Sequence, residues 1–94
     1  MTFPAWFAFH RHPALRRAVV ANSVYSEMIL RNAFFSPVEV KGWAWAETLD
    51  VERRNLWRAI NLLVSLGFLV EHPRAHTKSP RRFTIALNVG PIDT

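Results

Sequence analysis

The chain has 94 residues, half of them hydrophobic and a fifth charged, which suits one small domain with one core and excludes a separate catalytic lobe or a disordered tail. Twelve Lys and Arg against seven Asp and Glu give a net charge of +5, and ten of the twelve cations are Arg, the side chain suited to bidentate phosphate and guanine contacts. Cysteine is absent, which excludes disulfides and thiolate metal sites, and no segment reaches the roughly 20 apolar residues of a membrane helix or resembles an export leader. The expectation is a soluble cytoplasmic protein with a polyanionic partner and no membrane association.

Residues 1–12 form an apolar arm carrying Phe3, Trp6, Phe7 and Phe9. Pro13 suits the first position of a helix, and Leu15, Ala18, Asn22, Tyr25, Ile29 and Ala33 recur at helical spacing. The spacing predicts a helix from Pro13 to about Ala33, with Asn22-Ser23 as a point of kink or break and Ser36-Pro37 as its stop. Val38-Glu39-Val40 alternates like a very short strand, able to pair with a later hairpin.

A second helix is predicted from Gly42 to about Thr48, with Trp45, Ala46 and Leu49 inward. Trp43 lies about 200 degrees around the helix from Trp45 and is therefore expected at the surface. Leu49-Asp50-Val51 is the turn into a third helix, from about Glu52 to Leu66, which buries Leu56, Ile60 and Leu63 and stops at Gly67. Glu52 also suits the positive end of that helix. After Gly67 the period becomes two. Phe68 and Val70 are expected to face one way and Leu69 and Glu71 the other, answered by Phe83, Ile85 and Leu87 across a basic loop from Pro73 to Arg81. Residues 89–94 are a tail. The predicted class is α+β, mainly α: three helices and a C-terminal β-hairpin, with a possible short strand at 38–40.

The order of these elements resembles the winged helix-turn-helix family, in particular the MarR-like regulators and the winged modules of phage and plasmid replication proteins. The resemblance covers roughly Val38 to Leu87. It rests on Trp45-Ala46 and Leu49, on the run Val51 to Leu63, and on Leu66-Gly67-Phe68-Leu69-Val70-Glu71 as the step into the wing. It implies a third helix in the major groove of duplex DNA and a wing on the adjacent minor groove or backbone. Carried over by position, Arg53, Arg54, Asn55, Trp57 and Arg58 become groove-facing, with Arg54 and Asn55 as base readers. In the wing, Arg74, His76, Lys78, Arg81 and Arg82 become the cationic contacts. Lys41-Gly42-Trp43 stands where the family starts its second helix with a Ser or Thr cap.

Exposed arginines on a short helix are ordinarily a solvated face, and a basic hairpin tip also keeps an edge strand from pairing. The agreement of helix and wing favours DNA contact, which makes a sequence-specific double-stranded DNA-binding protein, a small transcription regulator, the leading expectation. The alternatives are a DNA-engaging part of a phage or plasmid replication or excision system, and a winged domain used for protein assembly. The arm residues Phe3, Trp6, Phe7 and Phe9, with Trp43, Leu62 and Leu66, are apolar beyond the needs of a minimal winged fold and suggest a partner surface, here a homodimer. No enzyme is expected, since the seven carboxylates are scattered and no His sits in a nucleophile motif. His10-x-His12 and the pair His72 and His76 lack the supporting ligands a metal needs, so neither metal nor cofactor is expected.

Overall fold

The computed structural model describes residues 3–4, 18–74, 76–86 and 88–89. Among them are five strands and three helices: β1 (Phe3–Pro4), α1 (Val19–Leu30), β2 (Val38–Val40), α2 (Gly42–Leu49), α3 (Arg53–Ser65), β3 (Leu69–His72), β4 (Arg81–Ile85) and β5 (Asn88–Val89). Antiparallel pairing orders β2, β4 and β3 into one sheet, with β4 in the middle. The fold is thus α+β. The short strand at 38–40 and its pairing with the later hairpin are both present.

Helix α1 mixes exposed Val19 and Leu30 into the side that carries Asn22, Ser23, Ser26 and Glu27, so its sequence marks a buried face only loosely. The side chains that reach the core are Ala21, Val24, Tyr25 and Met28, one turn-and-repeat set at helical spacing. The expected stripe is corrected on this point: Tyr25 and Ala33 are buried, but Ile29 is 41% exposed and Asn22 is only half-buried. Nor does Asn22-Ser23 break the helix. Asn22 Nδ2 donates to the Ala18 carbonyl at 2.8 Å and Ser23 Oγ to that of Val19 at 3.2 Å, satisfying both polar groups on the helix's own backbone. The helix ends at Leu30, earlier than expected, because Asn32 takes a left-handed φ of 58° and Ala33 N–H turns back to the Met28 carbonyl at 3.1 Å. The expected start at Pro13, with Leu15, lies outside the described residues.

The connection between α2 and α3 is short. Asp50 adopts φ 55°, closing α2 with backbone bonds to Ala46 and Glu47, and Glu52 is extended at φ −68°, ψ 142° before α3 begins at Arg53. Asp is one of the few residues besides Gly and Asn that visit the left-handed region readily. At the far end, Gly67 at φ 85° lets Phe68 N–H reach the Leu63 carbonyl at 2.9 Å, the glycine stop foreseen for this helix.

The core lies between the three helices and one face of the sheet. Trp45, Leu56, Ile60, Leu63, Phe68, Leu69, Phe83 and Ile85 are all 0–2% exposed, and each large apolar side chain so buried contributes about 1.5–3 kcal/mol. Arg31 ties α1 to α2, its guanidinium 4.7 Å above the Trp45 ring while Nε donates to Glu27 at 3.0 Å. The hairpin faces need a correction. Phe68 precedes β3 and packs edge-on to Tyr25 at 6.2 Å, so alternation begins at Leu69, which is 2% exposed while Val70 is 46% exposed. Phe83 and Ile85 do answer from the buried side, paired with Glu71 and Leu69; Leu87 lies outside the described residues.

Two residues of the expected arm pair with the last residue of the expected hairpin segment, 68–88, and the first of the expected tail, 89–94. Phe3–Pro4 pairs antiparallel with Asn88–Val89. Trp6, Phe7 and Phe9 lie outside the described residues, as do His10 and His12.

Candidate nucleic-acid interface

Helix α3 buries Leu56, Ala59, Ile60 and Leu63, and its periodicity therefore fixes what it turns outward. Opposite that stripe, at i, i+4 and i+7, stand Arg54, Arg58 and Asn61, all exposed. Arg54 retains 72% side-chain exposure while forming a long surface ion pair with Glu52 at 3.9 Å, a kind of contact that holds an arginine only weakly. Arg53 and Asn55 are also exposed, but Asn55 lies on the flank. With Arg58 and Leu62 it lines a shallow apolar depression against Ala18–Ala21 at the start of α1.

Trp57, expected to face the groove, is corrected. It is half-buried and packed against the core. Gly42 makes room for it: a Cβ on residue 42 would stand 2.9 Å from Trp57 Nε1. The Arg81 guanidinium caps the ring, 5.0 Å from its centroid and 5.2 Å from that of Phe83. The sequence period leaves Trp57 beside the exposed face, and only the approach of β4 and α2 covers it.

Arg81 is likewise not a loose wing cation. Its Nε donates to Glu71 Oε2 at 2.9 Å, its Nη2 to Glu71 Oε1 at 2.8 Å and to Asn61 Oδ1 at 3.2 Å. The bidentate pair links the two strands of the hairpin, and the third bond ties them to Asn61 on α3. Asn61 is missing from the sequence-level set, although its signal was the same 3.6-residue repeat that selects Arg54 and Arg58. The Arg81 hydrogen bond holds the Glu71 carboxyl below the ordinary carboxylate range. A depressed carboxylate contributes stability at neutral pH that is lost as pH falls through its folded-state value. Glu71→Gln is therefore expected to lower stability by about 1 kcal/mol at pH 7, with the gap to wild type closing in acid. Thermal unfolding followed by circular dichroism across pH tests this, and a gap of constant size would discard the assignment.

The hairpin tip uses two of its arginines internally. Arg74 Nη1 donates to the carbonyls of Thr77 and Ser79 at 3.2 and 3.4 Å, and Arg82 Nη2 to that of Pro73 at 2.6 Å. They brace the loop while Arg74 keeps an exposed guanidinium. His76 and Lys78 are exposed, with His76 within 3.4 Å of Ser79 Oγ. His72, on β3, is bonded to Thr84 Oγ1 at 2.7 Å. The braced tip therefore offers Arg74, His76 and Lys78 to solvent, and the base of the same hairpin reaches the outward face of α3 through Arg81 and Asn61.

The apolar residues singled out for a partner surface divide. Trp43 is 61% exposed. Leu62 and Leu66 are half-buried against the chain's own core, so they are largely covered without a second copy. Leu30 and Phe35, not foreseen, are 79% and 82% exposed.

Among the described residues, no helix is long and apolar enough to cross a membrane, and no three His, Asp or Glu side chains gather as a metal site would need. No family model, curated protein or solved structure matches the chain.

Proposed function

We propose that the chain is a winged helix-turn-helix protein that binds double-stranded DNA by sequence, acting as a small transcription regulator, with α3 in the major groove and the tip 73–80 on the backbone or minor groove. The observation that carries this reading is the outward face of α3: Arg54, Arg58 and Asn61 in line, exposed, and joined through Arg81 to a hairpin whose tip is cationic. Arginine offers a fork to guanine O6 and N7, and asparagine pairs with adenine N6 and N7. Asn61 is the best-prepared of the three, because Arg81 fixes its amide while Oδ1 retains a second lone pair.

The binding energy has two sources in this scheme. Lys78, Arg74 and His76 supply phosphate contacts that do not depend on sequence, and the α3 face supplies discrimination. The protein acts as a homodimer on two half-sites, and no catalytic step or cofactor is involved. Selection of bound duplexes from a random pool at several salt concentrations tests the proposal. An inverted repeat is the expected product, with retention falling steeply as salt rises; a pool that stays random and unbound at low salt refutes it. A protein-assembly role is the second reading, favoured by the exposure of Leu30 and Phe35, and it predicts self-association without duplex binding even at low salt.

A further inference from the structure

Between the start of α2 and the hairpin tip lies a cleft of 290 Å³, lined by Trp43 and Trp57 among aromatic residues and by Lys41, Arg74, Lys78 and Arg81 among cations. That volume is at the lower edge of ligand-binding clefts, about 300–1,000 Å³. No carboxylate lines it. Arg81 is already neutralised by Glu71, so the net positive charge of the cleft comes from Lys41, Arg74 and Lys78. The two indoles differ in use: Trp57 is capped by Arg81 and packed on Gly42, whereas Trp43 is 61% exposed.

We infer that this cleft takes an unpaired base of single-stranded DNA, stacked on Trp43, with the flanking phosphates on Lys41 and Lys78. An exposed indole beside cations, with no acid lining the cleft, complements a π-face attached to a phosphodiester. A base inside a duplex is covered on both faces by its neighbours, so Trp43 can stack only on one outside the helix. Through Trp57 and the Arg81–Asn61 bond the cleft adjoins the outward face of α3. The inference rests on the duplex reading for the seating of the double-stranded part. It adds a preference for DNA in which a double strand gives way to a single one.

The test compares a blunt duplex with the same duplex bearing a short single-stranded tail, by fluorescence polarisation of labelled DNA with the full chain. The blunt control is lengthened to equal phosphate number, and an isolated single strand is measured beside them. The tailed duplex is expected to bind about tenfold more tightly, the scale of one base stacked on an aromatic side chain. Trp43→Ala removes that preference and leaves blunt-duplex affinity unchanged, whereas Trp43→Phe keeps most of it. Circular dichroism confirms that the variants fold.

Equal binding of tailed and blunt DNA overturns the inference, as does an equal loss on both in Trp43→Ala. A Trp43→Ala variant that keeps the tail preference but changes its sedimentation also overturns it, by making the cleft a protein contact. If the blunt duplex is not bound while the single strand is held through Trp43, the duplex reading falls and this one stands. Binding of neither ends both.

Discussion

Replacing Arg54, Arg58 and Asn61 with alanine, one at a time, is expected to cost about 1–3 kcal/mol each on the preferred duplex, because each removes a side chain that the proposed docking sets against a base edge. That corresponds to roughly 5- to 150-fold in affinity. The triple variant is expected to bind all sequences at the level of non-specific DNA, since the cationic tip remains. Relaxed selectivity should appear at different base pairs for the three single variants. Lys78→Ala serves as the contrast: its loss weakens all sequences alike and lowers the salt slope by about 1. Asn55→Ala is the sharper control. Sequence position makes Asn55 a base reader, but it sits on the flank of α3 facing Ala18–Ala21, so its removal is expected to matter less than that of Asn61. Competition binding against single-base variants of the selected site measures all of these, and an Asn55 effect larger than the Asn61 effect contradicts the proposed docking face.

The largest stability effect is expected at Phe83. It is fully buried at 0% exposure, lies on the central strand, and pairs with Val38 on one side and Glu71 on the other. The Arg81 guanidinium that holds Asn61 rests 5.2 Å from its ring. Phe83→Ala removes core contacts and leaves a cavity at the junction of all three strands, a loss of about 3–5 kcal/mol. Small domains are stable by only about 0.05–0.15 kcal/mol per residue, so a large fraction of the fold's stability would be lost. Val70→Ala, on the exposed side of the adjacent strand at 46%, is expected to change stability by about 0.5 kcal/mol or less. Urea denaturation compares the two. Similar midpoint shifts would mean that the sheet presents its other face to the core.

The two experiments probe one physical unit. Phe83 supports Arg81, Arg81 holds Asn61, and Asn61 completes the row begun by Arg54 and Arg58. Damage to the sheet core is therefore expected to reach the α3 face by loosening Asn61 first, which the Glu71→Gln variant tests without a cavity.

Much of the framework was legible in the residues alone. Leu56, Ile60 and Leu63 repeat at helical spacing and Arg54 and Arg58 stand opposite them, so the buried face of α3 and its arginine face follow from one pattern, even with Trp57, Leu62 and Val64 on the flanks. Gly67 marks its end because few other residues take the required φ, and Val38-Glu39-Val40 alternates as a short strand does, with β-branched residues on one side. Trp43 and Trp45 were separable because their angular distance forbids a shared face. Helix α1 shows the opposite case: with Val19 and Leu30 mixed into its polar side, periodicity cannot choose between Ile29 and Met28, and packing against α3 makes the choice.

What the chain determines by itself is therefore the order of elements, the stop at Gly67 and the presence of arginines opposite an apolar stripe, since these depend on local backbone preference and on spacing along one helix. Tertiary structure alone decides that Trp57 is covered, that Arg81 is spent on Glu71 and Asn61, that Arg74 and Arg82 brace the tip, and that Leu69 rather than Val70 turns inward. Each of those outcomes depends on which surface approaches from an element distant in sequence, and a linear pattern holds no record of that approach.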